Sequence, residues 1–207
     1  MKRAIQFILP LLALLLLQAC ATPTKLITRW HESDYAGPPL QKLLVIGAFQ
    51  DDLMRRMFED QFVKELEARG DQGVASYVYI QNLKDVDDEQ KLEAVVKKAG
   101  ADGVLITSLK SLDKEQTRVP PRTEWVPAGY AGYGYYGYYQ AMVPVTTPGY
   151  VRTDTIARLE TRVFSVQDRK LVWAGSLESF NPKAPEKVVR QIAGLVLGDM
   201  KKAGLLK

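Results

Sequence analysis

The sequence predicts an α/β fold, in which a mixed β-sheet carries helices packed on it. Short apolar runs alternate with amphipathic helical segments between residues 43 and 106, which is typical of parallel strands joined by helices. Residues 150–166 and 170–176 then alternate between polar and apolar side chains, as in an antiparallel hairpin, and an amphipathic helix follows. The predicted order is therefore βαβαβ–ββα, with a sheet that is parallel in its first half and antiparallel through the hairpin.

The first predicted unit is a strand followed by a helix. Residues 43–46 form a short apolar run that ends at Gly47, and its length and β-branching favour a buried strand. Asp51 and Asp52 can cap a helix and complement its dipole. The apolar residues that follow recur on one broad face as far as Gly70, which predicts an amphipathic helix of several turns.

A strand, a helix and a third strand are predicted next. Residues 74–80 alternate in the manner of a strand. Asp87 and Gln90 have the spacing of a capping box, so the second helix is predicted to begin there and to end at Gly100. Residues 104–106 form another apolar strand.

The second half of the chain predicts a hairpin and a terminal helix. Residues 167–169 make a tight turn between the two alternating strands. Pro185 suits the first turn of a helix. Seven apolar residues recur at helical spacing after it and predict a core-facing stripe: Val188, Val189, Ile192, Ala193, Val196, Leu197 and Met200.

The amino-terminal segment predicts a bacterial lipoprotein. Lys2 and Arg3 precede an apolar run that is too short to span a membrane comfortably, and Leu-Gln-Ala-Cys follows at residues 17–20. Residues 1–19 are therefore predicted to be a signal peptide, and Cys20 to carry a diacylglyceryl thioether and an acylated amine with palmitate-type chains. Ala21, rather than Asp, after the cysteine favours the outer membrane over the inner one.

This assignment divides the chain into an anchor and one folded domain. Residues 20–40 are predicted to be the lipid anchor and tether, and residues 41–207 a single α/β domain that faces the periplasm.

Composition argues against several classes of function. The 28 Lys and Arg residues stand against 24 Asp and Glu, and two of the basic residues leave with the signal peptide, so nothing predicts nucleic-acid binding. Cys20 is the only cysteine and His31 the only histidine. We therefore predict no metal site, no cofactor and no catalysis based on cysteine or histidine.

A Gly/Tyr-rich loop at residues 127–150 is the candidate recognition element. Long loops are commonly functional or disordered, and glycine favours a mobile connector. Tyrosine favours binding, because its ring offers a large contact area together with a hydroxyl group. The occupant could be an envelope protein, a second copy of the chain or a glycan. The candidate partner-binding residues are Tyr130, Tyr133, Tyr135, Tyr136, Tyr138 and Tyr139.

A smaller polar group lies on the first predicted helix. Arg56, Glu59 and Asp60 stand at i, i+3 and i+4, a spacing that places them on one helix face. The favoured interpretation is an ion pair on the helix surface, and the alternative is a polar patch for a partner.

Several segments resemble a family of uncharacterised bacterial outer-membrane lipoproteins. They include Trp30 with Tyr-Ala-Gly at 35–37, residues 42–47 and 56–60, Gly-Ala-Asp-Gly-Val-Leu at 100–105 and Lys-Leu-Val-Trp at 170–173, besides Ala-Ser-Tyr at 75–77. The chain is more distantly similar to periplasmic modules of the Tol translocation protein B amino-terminal domain and of the curli secretion-channel lipoprotein. These resemblances imply an envelope binding or assembly component and assign no catalytic residue.

We therefore expect a non-enzymatic binding or assembly lipoprotein of the cell envelope, held to the membrane by acyl chains on Cys20. The alternative is a carboxylate-dependent hydrolase or transferase that acts on glycan or cell-wall material. Such an enzyme should hold two Asp or Glu side chains with displaced pKa values in one partly desolvated cleft.

Overall fold

The computed structural model describes residues 24–85, 88–127, 142–182 and 184–207. These residues form two compact units. The first comprises the described residues up to Asp113 together with Ile156–Lys207, and the second comprises Lys114–Thr155. The two units are described separately below.

Eight strands and three α-helices make up the described chain. They are β1 (Thr24–His31), β2 (Lys42–Ala48), α1 (Asp52–Glu67), β3 (Gln72–Ala75), α2 (Glu89–Ala99), β4 (Gly103–Val119), β5 (Arg122–Pro127), β6 (Met142–Thr147), β7 (Tyr150–Ser165), β8 (Lys170–Phe180) and α3 (Pro185–Lys202).

Six of the strands form one mixed sheet in the order β1-β8-β7-β4-β2-β3. β2 is parallel to both β3 and β4, whereas β8 is antiparallel to both β1 and β7. The predicted α/β class is confirmed, with a parallel first half, an antiparallel hairpin and helices packed on the sheet. β1, β5 and β6 are additions to the predicted order.

The sheet is covered by helices on both faces. Consecutive residues of β2 point to opposite faces, so Leu43 and Val45 join one hydrophobic cluster while Leu44 and Ile46 join another. The first cluster contains buried residues of α1 and α3, and the second contains buried residues of α2. The result is a three-layer arrangement. All seven residues of the predicted terminal stripe are buried in it: Val188, Val189, Ile192, Ala193, Val196, Leu197 and Met200.

The residue that caps the amino terminus of α1 is the predicted one, whereas the residue that caps α2 is one position after the predicted one. The side chain of Asp51 accepts a hydrogen bond from the Met54 amide and caps α1, as predicted. Asp88 caps α2 by accepting from the amide of Lys91. The predicted cap, Asp87, lies outside the described residues.

Two predicted segments differ from the structure. Residues 24–31, assigned to the tether at 20–40, form β1, which pairs with β8 from Thr24–Ser179 to His31–Trp173. The predicted strand over residues 74–80 ends at Ala75 and continues as a 3₁₀ turn, Ser76–Val78. In both places a hydrogen-bond partner distant in sequence determines the backbone conformation. For β1 this partner is β8, and for the turn it is the Glu59 carboxylate.

The second unit contains a two-stranded sheet, and one of its strands, β6, lies inside the range 127–150 that was predicted as a loop. β5 and β6 pair in antiparallel register from Arg122–Thr147 to Pro127–Met142. Residues 142–147 therefore belong to a strand, and residues 128–141, which include the Gly/Tyr-rich stretch, lie outside the described residues.

Among the helices that the structure describes, none is long and apolar enough to cross a membrane.

Candidate functional site

The predicted attachment and recognition residues fall outside the described parts of the chain. This holds for Cys20 and for all six candidate tyrosines: Tyr130, Tyr133, Tyr135, Tyr136, Tyr138 and Tyr139. Their assigned roles stay predictions. His31 is described, and it lies exposed at the end of β1. Within the described ranges no group of three or more His, Cys, Asp or Glu side chains could hold a metal ion.

The β5–β6 sheet exposes large apolar side chains. Trp125 is 64% exposed, and Val145 and Val143 are 48% and 39% exposed. Trp125 lies opposite Pro144, whereas Val145 lies opposite Glu124, so the apolar residues occupy both faces of the two-stranded sheet. An isolated two-stranded hairpin is marginally stable in water, and exposed apolar area of this kind is typical of contact surfaces.

Sequence reasoning missed these strands although a signal was present. The stretches Arg-Thr-Glu-Trp-Val-Pro at 122–127 and Met-Val-Pro-Val-Thr-Thr at 142–147 are rich in β-branched and aromatic residues. The prolines and the glycine-rich segment between them favoured a loop instead.

The edge strand β1 is anchored on α3 through polar contacts. Arg29 Nη1 donates to Asp199 Oδ1 at 2.5 Å, and the buried indole of Trp173 donates to Asp199 Oδ2 at 3.0 Å. Near the start of the strand, Thr24 Oγ1 donates to Gln191 Oε1 at 2.7 Å. An open groove of about 660 Å³ lies between the strand and the helix.

The outward surface of β1 is partly apolar. Ile27 is 51% exposed and Trp30 is 46% exposed, although both belong to a strand of the main sheet. They lie close to a register shift in the β1–β8 pairing, between Leu26 and Thr28. Two basic residues, Lys25 and Arg29, belong to the same strand.

A buried ion pair lies beside the carboxyl ends of β2 and β3. The Arg55 Nε atom donates to Glu59 Oε1 at 3.0 Å, and Arg55 Nη2 donates to Ser76 Oγ at 2.9 Å and to the Ile80 carbonyl at 2.9 Å. Both charged side chains are almost completely buried. Glu59 also accepts from the Gly47 amide, the Ser76 hydroxyl and the Tyr77 amide, at 2.8–2.9 Å.

This cluster ties α1 to the two parallel strands. Its carboxylate accepts four hydrogen bonds, three at Oε1 and one at Oε2, and all four donors belong to α1, β2 and the turn after β3. Every buried side-chain nitrogen and oxygen in the described part of the chain has a hydrogen-bond partner. The arrangement therefore supports a structural role for Arg55 and Glu59.

The predicted surface group on α1 is divided between the core and the surface. Glu59 is buried with Arg55, so its grouping with Arg56 was wrong. Arg56 instead pairs with Asp52 at 2.8 Å and lies over the ring of Tyr77, 4.9 Å from its centroid. The helix turns every 3.6 residues, which places positions 55 and 59 inward and position 56 outward.

Asp60 binds the same tyrosine. The Tyr77 hydroxyl donates to Asp60 Oδ1 at 2.6 Å. This hydrogen bond, together with partial burial, raises the pKa of the Tyr77 hydroxyl. At neutral pH the phenol is therefore a hydrogen-bond donor and does not serve as a base.

The surface of the antiparallel half of the sheet carries charge pairs. The Lys110 ammonium lies 2.9 Å from Glu160, and Arg162 contacts the same carboxylate. The hydrogen bond from Lys110 lowers the pKa of Glu160, and that from Arg162 contributes in the same direction. Arg158 pairs with both Asp113 and Glu178. These residues balance one another's charge on a solvated sheet face.

Comparison with known proteins finds solved structures with a similar backbone but no family to which the chain can be assigned. No protein-family model and no curated protein matches the chain. Solved structures with a similar backbone include the PelC dodecamer from Paraburkholderia phytofirmans, at 11% identity and a TM-score of 0.45, covering 87% of this chain and 98% of that one. Another is lipoprotein GNA1162 from Neisseria meningitidis, at 12% identity and a TM-score of 0.40, covering 78% of this chain and 99% of that one.

Both likenesses are too distant to assign a function, although one of the neighbours is a lipoprotein. Neither is a Tol or curli module, and the predicted similarity to those modules stays a prediction.

Proposed function

We propose that the mature chain is a lipid-anchored, non-enzymatic envelope protein that binds a partner protein through its β5–β6 sheet and the segment that joins the two strands. The predicted acylation of Cys20 supplies the anchor, and Ala21 favours the outer membrane, with the folded part in the periplasm.

The exposed apolar surface of β5 and β6 carries this proposal. Trp125, Val143 and Val145 remain in contact with solvent, whereas Leu43, Val45 and Leu105 of the main sheet are buried in a hydrophobic cluster. Tryptophan is among the residues that contribute most to binding in protein interfaces, because its large ring fills a pocket of the partner from which water is excluded. The tyrosines of residues 128–141 lie next to this surface in sequence and extend the aromatic character of the segment.

Crosslinking in intact cells tests the proposal, followed by separation of soluble and membrane fractions. Trp125→Ser should lose the crosslinked partner while the protein remains folded and membrane-bound, since the side chain is largely exposed. Replacing residues 129–139 with a Gly-Ser linker of equal length should act in the same direction, because loop closure is preserved while the aromatic contacts are lost. Cys20→Ser should move the folded protein into the soluble fraction.

Glu124→Gln is the matched control, because this residue lies next to Trp125 on the same strand and forms an exposed ion pair with Arg122. It should retain the partner. Equal crosslinking in Trp125→Ser and wild type would contradict the binding role. A Cys20→Ser protein that stays in the membrane fraction after a high-salt wash would contradict the anchor.

A further inference from the structure

We propose that β1 is the edge of the protein that lies against the membrane, with Ile27 and Trp30 in the headgroup region of the bilayer. This inference rests on the proposed lipid anchor at Cys20. The occupant of the surface is the phospholipid bilayer itself.

The first argument for this inference is the short connection between Cys20 and the start of β1. Three residues separate Cys20 from Thr24, where β1 begins. A chain of this length spans at most about 14 Å even when fully extended. The start of β1 therefore lies within that distance of the acylated residue, whatever conformation the connection adopts.

The second argument is the position of the exposed apolar side chains along β1. β1 contains eight residues and is about 26 Å long. Ile27 follows Thr24 by about 10 Å and Trp30 by about 20 Å along the strand. A strand standing upright on the membrane would hold Trp30 in water. A strand lying along the surface brings both exposed apolar side chains into the interfacial region, where tryptophan is enriched in membrane proteins.

Charge on the same strand agrees with a phospholipid surface. Lys25 and Arg29 belong to β1, and Lys202 lines the groove between β1 and α3. Asp199 neutralises part of this charge through Arg29, and Glu178 lies across from Lys25 in the strand register. These five side chains carry one net positive charge, which favours contact with phosphate-bearing headgroups over an apolar protein surface.

The depth of contact is limited by the backbone. β1 is the last strand of its sheet in the part of the chain that the structure describes, so one row of its amide and carbonyl groups has no neighbouring strand there. Headgroups and interfacial water can hydrogen-bond to these groups, whereas the hydrocarbon interior cannot. β1 is therefore expected to lie in the headgroup layer, about 5–7 Å thick on each side of the bilayer.

Tryptophan quenching by brominated lipids tests the inference. The full-length protein is extracted from membranes, reconstituted into vesicles of phosphatidylethanolamine and brominated phosphatidylglycerol, and checked by mass spectrometry for acylation of Cys20. We compare Trp30→Phe with Trp125→Phe, because these two tryptophans are both exposed while Trp173 is fully buried. Lipid-dependent quenching should fall at least twofold in Trp30→Phe and remain at the wild-type level in Trp125→Phe.

Each outcome decides a separate point. Acylated protein whose quenching is unaffected by Trp30→Phe overturns membrane contact through β1 and leaves the anchor intact. Unmodified Cys20 overturns the anchor and, with it, this inference. A Trp30 that is shielded from lipid, in protein that crosslinks to itself through β1, assigns the edge to a second copy and also overturns the inference.

Discussion

Removing the buried guanidinium of Arg55 should destabilise the fold far more than removing its exposed neighbour on the same helix. Arg55→Met keeps much of the side-chain length and leaves the Glu59 carboxylate buried with three neutral donors in place of four partners. Breaking a buried ion pair by deleting one partner costs about 3–5 kcal/mol, because the remaining charge is uncompensated. Typical domains have a total stability of about 5–15 kcal/mol.

The effect is measured by urea unfolding of the purified Cys20→Ser form, followed by circular dichroism. With a denaturant dependence of about 2 kcal/mol per molar urea, the midpoint should fall by about 2 M in Arg55→Met. Arg56→Met is the matched control, because Arg56 is exposed and pairs only with partners at the surface. Its midpoint should stay close to that of the wild type.

A double mutant separates the charge from the packing. Glu59→Gln alone turns one of the four acceptor positions into a donor and removes the buried carboxylate that neutralises Arg55, so it should be strongly destabilising. Added to Arg55→Met, the same change removes an uncompensated charge and should cost much less. Equal midpoints for Arg55→Met and Arg56→Met, or strictly additive effects in the double mutant, would refute the reasoning.

Two further predictions concern the core and one carboxyl group. Ile192→Asp should abolish folding, because an unpaired charge enters a site that is 1% exposed, whereas Leu53→Asp, at a position 78% exposed, should retain a cooperative thermal transition. Burial raises the pKa of Asp71 against the opposing charges of Lys201 and Arg69, so the folded state favours the protonated form. That contribution is fully present below the unfolded pKa of about 3.9 and is lost as the pH rises through the folded value. Asp71→Asn should therefore raise the thermal midpoint at pH 7, and the gain should disappear near pH 3; a gain that is independent of pH would contradict the assignment.

Periodicity in the sequence was sufficient for the order of the central elements. The terminal helix was predicted from its apolar stripe, and all seven residues of the stripe are buried, since a helix of this length must bury one face. The β7–β8 hairpin was predicted from alternation, and Ala157, Leu159, Thr161 and Val163, which the alternation placed on one face of β7, are all buried. Both patterns are local, so they can be recognised in the sequence without knowing which distant segment packs against them.

The prediction of the polar cluster was less successful because two arginines are adjacent. Spacing alone placed Arg56 with Glu59, whereas the structure buries Glu59 with Arg55 and leaves Arg56 on Tyr77. Both pairings are compatible with one helix. The direction of the helix face toward β2 and β3 decides between them, and that direction is a property of the packed fold.

The sequence by itself determined the α/β class and the helix stripe, because these depend on periodicity, and a short contiguous motif carries the prediction of a lipoprotein cysteine. Only the tertiary structure decided that residues 24–31 are an edge strand, since its hydrogen-bonding partner, β8, lies about 150 residues later in the chain. It likewise decided that residues 142–147 pair with β5 and that the backbone turns after Ala75. In each case the backbone is fixed by a distant hydrogen-bond partner, which local sequence patterns do not encode.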